Sequence, residues 1–311
     1  MTTTESIICV VGPTASGKSD LAQEIALALN GEVVSADSMQ IYRGMDIGTG
    51  KVLEEERKVK HYGLDIQNPG EPYSAALFQA YARNAFKEIA ARGKRVILCG
   101  GTGFYIRAAL DGYEFPHGEQ VGNEVRDYYR RIAEDAGELA LWQLLNERDP
   151  QSAQIIPPHD TKRVIRAFEL IEDGTTYARQ REKLKDIPQV YPAIFIGLQV
   201  DVDILNKRID QRVDKMLSSG LIDEVKTLLD EGFREGLCAP QAIGYKEILA
   251  YLDGKKSLDE AVQSIKTATH RYAKRQRTWF RKDNRIHWID ANDGNLARVT
   301  EEALKIIEHS N

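Results

Sequence analysis

The stretch that decides the fold is Gly12-Pro13-Thr14-Ala15-Ser16-Gly17-Lys18-Ser19, which has the spacing G-x-x-x-x-G-K-[ST]. It follows the apolar run of residues 7–11. It precedes a helical pattern formed by Leu21, Ala22, Ile25, Ala26 and Leu29. Strand, glycine-rich loop and helix in this order are the context in which the spacing predicts a phosphate-binding loop. We call residues 12–19 the phosphate loop.

The residue types of the phosphate loop suit a ligand with two or more linked phosphates. The glycines let the backbone curl so that several N–H groups point at phosphate oxygens. Lys18 adds a positive charge, the Ser19 hydroxyl suits Mg²⁺, and the next helix directs its positive end at the anion. The loop by itself does not distinguish ATP from an organic diphosphate.

Composition is that of an ordinary globular protein. The chain has 311 residues, 42% hydrophobic and 29% charged, which fits one large domain with an insertion or two domains. Because the net charge is −5, any nucleic-acid surface must be a local patch. The three cysteines lack metal-ligand spacing. No signal peptide or membrane span is recognisable, so we expect a cytoplasmic protein.

Strand and helix patterns alternate over the first 110 residues, as a parallel α/β sheet requires. Strands are predicted at residues 7–11, 33–35, 61–66, 95–99, 193–198 and 286–289. Within the first 110 residues, helices are predicted at residues 74–92 and 104–110. The pattern predicts the α/β fold class: a P-loop NTPase-like parallel sheet core, followed by a mostly helical C-terminal part.

Residues 116–186 differ from the rest, because they contain no strand-like run. They show charged, amphipathic helical patterns at residues 125–136, 139–147 and 161–171. We therefore predict a helical insertion domain at 116–186 within a core formed by residues 1–115 and 187–311.

Two strand ends bear on the chemistry. The strand placed to supply the Mg²⁺-binding aspartate of an ATPase ends in Gly100-Gly101-Thr102-Gly103, without a carboxylate. Asp37, in contrast, follows the strand at 33–35, at the edge where parallel sheets bind ligands. Asp37 suits a Mg²⁺ ligand, a general base or a turn residue that binds its own backbone. Residues 47–51 are interpreted as a loop whose Lys51 can help to neutralise an anion.

Several segments together resemble the tRNA dimethylallyltransferase family. They are the phosphate loop, Asp37-Ser38-Met39-Gln40-Ile41-Tyr42, Gly100-Gly101-Thr102-Gly103-Phe104-Tyr105, Ile209-Asp210-Gln211-Arg212, Ala242-Ile243-Gly244-Tyr245-Lys246-Glu247 and Lys274-Arg275-Gln276-Arg277-Thr278-Trp279. They follow the family's order over nearly the whole chain. The resemblance implies transfer of a dimethylallyl group from dimethylallyl diphosphate to the N6 amine of the adenine immediately 3′ of the anticodon in tRNA.

The resemblance also implies roles for individual residues. Asp37 is implied as the base, and Lys18 and Arg212 as cations that stabilise the leaving diphosphate. Ser19 and Thr102 are implied to lie near Mg²⁺, the expected cofactor. Without the resemblance, Arg212 would be interpreted as a solvated arginine and Thr102 as a helix N-cap. This chemistry needs positive charge on the diphosphate and a base for the amine proton.

The resemblance implies tRNA contacts in several segments. They are Asp37, Ser38, Met39, Gln40, Thr102, Thr161, Lys162, Arg163, Val164, Ile165, Arg166, Gly244, Tyr245, Lys246, Lys274, Arg275 and Gln276. Ser38, Met39 and Gln40 are implied to contact an adenine that has left its stack, and Gln40 can read its hydrogen-bonding edge. The expected partner is the tRNA anticodon stem-loop.

Local charge supports an RNA partner. Residues 266–285 contain eight Lys or Arg and one acidic residue, Asp283. On a helix, one face collects Arg271, Lys274, Arg275, Thr278 and Arg281, and another collects Ile265, Ala268, Tyr272 and Trp279. A basic face opposite an apolar face indicates a phosphate-backbone surface, although a solvated surface helix has the same pattern.

Other functions stay open at this point. A prenyltransferase acting on free adenine nucleotides would share the phosphate loop and Asp37, but would not need basic helices. A small-molecule or nucleotide kinase would bind ATP at the phosphate loop. A non-catalytic RNA-binding protein would have little use for Asp37. We expect a monomer that does not bind membranes.

Overall fold

The computed structural model describes residues 5–115, 123–184 and 187–310. The chain divides into two compact units, one formed by Met1–Leu110 and Val190–Asn311 and the other by Asp111–Gln189. The limits expected for the helical insertion, residues 116 and 186, lie outside the described residues.

The first unit is built on a six-stranded parallel sheet with the order β3-β2-β4-β1-β5-β6. The strands are β1 (Ile7–Val11), β2 (Gly31–Ser35), β3 (His61–Tyr62), β4 (Arg95–Gly100), β5 (Ala193–Gln199) and β6 (Ile286–Asp290). The predicted α/β fold class is confirmed. β1 lies between β4 and β5 and is buried on both faces, which is why its sequence is a continuous apolar run.

The third strand is shorter than predicted. The expected strand at 61–66 ends at Tyr62 in the structure. Gly63 and Asp65 adopt positive φ angles of 77° and 56°, which turn the chain out of the extended conformation. A side chain at Gly63 would also come within 2.8 Å of the Ser35 carbonyl oxygen.

Helices cover both faces of the sheet and form the second unit. They are α1 (Lys18–Ala28), α2 (Ala75–Ala91), α3 (Gly103–Leu110), α4 (Glu124–Ala136), α5 (Glu138–Arg148), α6 (Pro150–Ile155), α7 (Thr161–Glu172), α8 (Tyr177–Lys183), α9 (Val202–Ser218), α10 (Leu221–Asp230), α11 (Tyr245–Leu252), α12 (Leu258–Phe280) and α13 (Leu296–Ser310). One apolar cluster packs α1, α9 and α12 against the sheet, and another packs α2 and α3.

The second unit has its own apolar core. In it the rings of Tyr129 and Phe168 stack with centroids 3.8 Å apart, surrounded by buried residues of α5 and α7. The structure adds α6 and α8 to the three helices predicted here. The sequence signal for α6 was the capping aspartate Asp149 followed by Pro150, which favours the first helical position.

Cys9 and Cys99 are buried in β1 and β4. Among the helices formed by the described residues, none has both the length and the apolar character needed to cross a bilayer.

Candidate active site

The phosphate loop connects β1 to α1 at the carboxyl edge of the sheet. Ala15 and Gly17 adopt positive φ angles of 62° and 90°, and helix α1 begins directly afterwards at Lys18. Gly17 is the N-cap residue of α1 and has no side chain to occupy the first N–H groups. Those groups and the helix dipole together form an anion-binding geometry.

The site contains two cations, Lys18 of the phosphate loop and Arg212 of α9. Burial lowers the pKa of Lys18, and the Asp37 carboxylate opposes that change. Burial likewise lowers the pKa of Arg212, again opposed by Asp37. The interpretation of Arg212 as a solvated arginine is wrong, because its Nη2 donates to the Thr49 carbonyl at 3.1 Å and its side chain lines the cavity. The site is therefore prepared for negative charge.

Asp37 stands at the end of β2 and uses one oxygen in a turn. Its Oδ1 accepts hydrogen bonds from the backbone N–H of Met39 at 2.9 Å and of Gln40 at 3.4 Å. Within residues 5–115, 123–184 and 187–310, Oδ2 accepts no hydrogen bond. The turn interpretation thus holds for Oδ1 only, and Oδ2 is available to a ligand.

Asp37, Lys18 and Arg212 line one cavity of about 290 Å³. Its wall also contains Ser38, Met39, Gln40, Gly244, Tyr272 and Arg275. A second cavity borders the phosphate loop and contains Ser16, Gly17 and Lys215. Lys18, Ser19 and Arg212 line both cavities.

Thr102 supports the cavity wall. Its hydroxyl accepts the backbone N–H of Ser38 at 3.1 Å, while its carbonyl accepts the N–H groups of Tyr105 and Ile106 at the start of α3. The Thr102 side chain thus binds the segment that contains Asp37. A side chain acting as an N-cap would instead accept from an N–H group in the first turn of α3. A role of Thr102 beside Mg²⁺ stays a prediction.

Gln40 is held in place by its neighbours. Its Oε1 accepts from the Ser35 hydroxyl at 3.0 Å, and its Nε2 donates to the carbonyls of Thr49 and Gly50 at 3.5 and 3.3 Å. Reading an adenine edge with this amide requires exchanging these bonds for bonds to the base.

Gln276, which the resemblance implies to contact tRNA, lines the same cavity as Asp37. Gln276 is 5% exposed. Its Oε1 accepts the N–H of Thr14 at 2.8 Å, and its Nε2 donates to the Gly101 carbonyl at 3.0 Å. A side chain at Gly101 would collide with this amide. Gln276 therefore braces the phosphate loop against the turn after β4.

The side chain of Tyr245 is fully buried and donates to Glu224 at 2.6 Å. A contact of this residue with tRNA stays a prediction. Of its neighbours in the motif, Gly244 lines the cavity, and Lys246 is exposed with its Nζ 3.6 Å from Glu247.

Helix α12 carries the basic face that the sequence predicts. Arg271, Lys274, Arg275, Thr278 and Arg281 are all exposed. Arg275 also lines the cavity, with its guanidinium 5.6 Å from the centroid of the Tyr272 ring. The expected apolar face is wrong for Trp279, which is 44% exposed, because the buried face continues through Gln276 and Phe280.

Helix α7 divides the residues expected to contact tRNA. Val164 and Ile165 are buried in the core of the second unit, and their contacts with tRNA stay a prediction. Arg163 pairs with Asp160, and Arg166 with Glu169, each at 3.0 Å. Lys162 is exposed and Thr161 is half-buried at the helix start.

The donors present fit a magnesium ion held mainly by its substrate. The described residues contain no group of three or more His, Cys, Asp or Glu that could hold a metal. Ser19 lines both cavities, and Ser16 Oγ is buried without a hydrogen-bond partner in that part of the chain. Mg²⁺ commonly takes few protein ligands and completes its shell with phosphate oxygens and water.

Two features near the site escaped the sequence analysis. Lys51 is not free to neutralise a bound phosphate, because its buried Nζ already binds the carboxylates of Asp46 and Asp65 at 2.5 Å each and the Tyr42 carbonyl. The segment before it seats Arg212, and Glu224 binds that segment. The glycines at 48 and 50 were the available signal, since both permit close approach of another side chain.

Comparisons with known proteins find similar proteins over almost the whole chain. A family model described as IPP transferase matches residues 40–283, and one described as isopentenyl transferase matches residues 5–62. A tRNA dimethylallyltransferase from Carboxydothermus hydrogenoformans is 47% identical over 302 residues, which are 96% of each chain. One from Bacillus cytotoxicus is 44% identical over 98% of this chain and 95% of its own.

Solved structures give the same result. The crystal structure of a tRNA delta(2)-isopentenylpyrophosphate transferase from Staphylococcus epidermidis matches with a TM-score of 0.73 and 38% identity, covering 99% of this chain and 100% of its own. A eukaryotic dimethylallyltransferase described as acting on tRNA matches with a TM-score of 0.78 and 28% identity, covering 93% of this chain and 75% of its own.

Proposed function

The chain belongs to the IPP transferase family, and we propose that it transfers a dimethylallyl group from dimethylallyl diphosphate to tRNA. The acceptor is the N6 amine of the adenine immediately 3′ of the anticodon, and diphosphate is released. The observation that carries this proposal is the cavity in which Asp37 faces the same space as Lys18 and Arg212. Full-length similarity to tRNA dimethylallyltransferases favours this function over a kinase.

The phosphate loop holds the diphosphate. As the bond between the allylic carbon and oxygen breaks, the electron pair goes to the diphosphate, and Lys18 and Arg212 stabilise that charge. Because both cations are already in position, little reorganisation accompanies the reaction. Ser19 and Thr102 would hold Mg²⁺, which when bound neutralises part of the diphosphate charge.

Asp37 accepts the proton. The N6 lone pair forms the new bond to the allylic carbon, and the amine proton moves to Oδ2, the oxygen that the turn does not use. The turn through Oδ1 fixes the carboxylate, which favours attack because the conjugated amine is a weak nucleophile. Ser38 and Met39, next to this turn, line the space for the extruded base.

The acceptor is bound by shape and charge. Arg275 and Lys274 on α12, Gly244 and Lys246 near the cavity, and the exposed residues of α7 would contact the anticodon stem-loop. We propose that the protein acts as a monomer, since one chain supplies every group named, and that it acts in the cytoplasm.

The test uses purified protein, Mg²⁺ and labelled dimethylallyl diphosphate. The acceptors are an unmodified anticodon stem-loop, AMP, and a stem-loop whose target adenine is replaced by purine, which lacks the 6-amino group. We expect label only on the first RNA, and none when EDTA replaces Mg²⁺.

Each other outcome points elsewhere. Label on AMP but not on RNA would establish the free-nucleotide prenyltransferase. Phosphoryl transfer from ATP without prenyl transfer would establish the kinase. Label on the purine-substituted stem-loop would exclude the N6 amine as acceptor.

A further inference from the structure

Glu224, on α10, is the centre of a dense group of hydrogen bonds. Its Oε2 accepts the N–H groups of Asp46 at 3.0 Å and Ile47 at 2.7 Å. Its Oε1 accepts the N–H of Gly48 at 3.1 Å and the hydroxyl of Tyr245 at 2.6 Å. A carboxylate suits this position, because its two charged oxygens accept from all four donors at once.

Tyr245 is committed to this arrangement. Burial and the neighbouring Glu224 carboxylate raise the pKa of Tyr245 well above its usual value, so the hydroxyl stays protonated and donates. Its ring lies against Gly48, where an added Cβ would come within 2.5 Å of Cε2. Glu224 and Tyr245 thus hold the same segment from two sides.

The segment they hold seats Arg212. We call residues 46–50 the Arg212 loop. The Thr49 carbonyl accepts from Nη2 of Arg212 at 3.1 Å, and the guanidinium lies so close to Gly50 that a Cβ would collide with it. Gly50 has a φ of 58°, which favours glycine. At the far end, Lys51 ties the loop to Asp65 at 2.5 Å.

We infer that Glu224 is a positioning residue: it fixes the Arg212 loop so that the Thr49 carbonyl holds Arg212 towards the diphosphate. The inference rests on the proposed function, in which Arg212 binds diphosphate. Glu224 itself does not line the cavity. Its effect on the site therefore passes through Arg212.

A double-mutant cycle tests this route. Glu224→Gln leaves one acceptor oxygen and turns an NH₂ group towards the N–H donors. Binding of inorganic pyrophosphate with Mg²⁺, measured by calorimetry, reads the site without needing turnover. We expect Glu224→Gln to weaken binding about 10-fold in the wild-type background and less than about 2-fold when Arg212→Gln is already present. Equal weakening in both backgrounds, or none in the wild type, would overturn the inference.

The controls separate positioning from folding. Glu231→Gln makes the same charge change at an exposed residue after α10 and should leave binding unchanged. Tyr245→Phe removes one of the four donors, and we expect about 3-fold weaker binding, again lost in the Arg212→Gln background. It stands in if Glu224→Gln fails to fold, and an unchanged affinity would then reject the inference. A wild type that binds pyrophosphate without prenylating tRNA would overturn the proposed function alone.

Discussion

Helices α12 and α7 both carry an adjacent Lys-Arg pair, and the structure surrounds them differently. Lys274 and Arg275 of α12 are exposed and form no ion pair with the residues that the structure describes. On α7, Arg163 is paired with Asp160, and Arg166 with the buried Glu169, which also binds Arg126. A count of basic residues does not separate these cases.

The difference concerns the charge available to RNA. A phosphate must compete with the carboxylate for a paired arginine, whereas an unpaired one can release condensed counterions when it binds. We therefore expect α12 to supply more of the electrostatic attraction to tRNA than α7, and the cavity beside α12 to supply the chemistry.

The largest effect is expected when the Asp37 carboxylate is removed, which abolishes the proposed base and leaves both basic helices unchanged. Asp37→Ala should lower turnover about 10²–10⁴-fold, as loss of a general base does, with tRNA affinity largely kept. Asp37→Asn keeps an oxygen for the N–H groups of Met39 and Gln40 but cannot take the proton. Single-turnover rates for both variants decide the matter: normal turnover in the asparagine variant would assign Asp37 to the turn alone.

The next effect compares the two helices directly. Arg275→Ala should weaken binding of the anticodon stem-loop about 10-fold and reduce the slope of log affinity against log salt by about one. Arg163→Ala removes an exposed arginine that is already paired, so we expect a loss of less than about 2-fold. Filter-binding titrations at several salt concentrations measure both. Equal losses would remove the distinction between the helices.

The sequence was sufficient for the core of the fold and for the loops that carry the chemistry. The phosphate loop and the capped start of α2 depend on neighbours in sequence, such as Ser74 Oγ with the Leu77 N–H at 3.2 Å. Asp37 was found because it directly follows a strand. Such local signals also placed the predicted strands, apart from the early end of β3 at Gly63.

Side-chain roles that depend on distant partners could not be predicted. Tyr245 and Gln276 lie in motifs, yet a motif does not tell an exposed residue from a buried one. No local sequence pattern indicates the role of Glu224, because its backbone partners lie 176 to 178 residues earlier in the chain. On α7, in contrast, the helical spacing of apolar residues did indicate a buried face, and Val164 lies on it.

A smaller effect tests whether unpaired lysines are equivalent on the two helices. Lys274→Ala and Lys162→Ala each remove one exposed ammonium group without disturbing an ion pair among the described residues. Each should weaken stem-loop binding about 2- to 5-fold and reduce the salt slope by about one. An unchanged slope for one variant would show that its helix does not meet the RNA backbone.

The smallest effect on binding is expected at Arg166, because its guanidinium is already paired with Glu169 at 3.0 Å. Arg166→Ala leaves Glu169 to Arg126, which donates to it through Nε at 2.7 Å and Nη2 at 3.1 Å. Because the buried carboxylate keeps this two-point contact, we expect a loss of about 1 kcal/mol in the free energy of unfolding and unchanged tRNA affinity. Arg126→Ala removes the stronger contact and should cost more. Chemical denaturation compares the two variants, and a loss of tRNA affinity in Arg166→Ala at unchanged stability would show that the ion pair opens to bind phosphate.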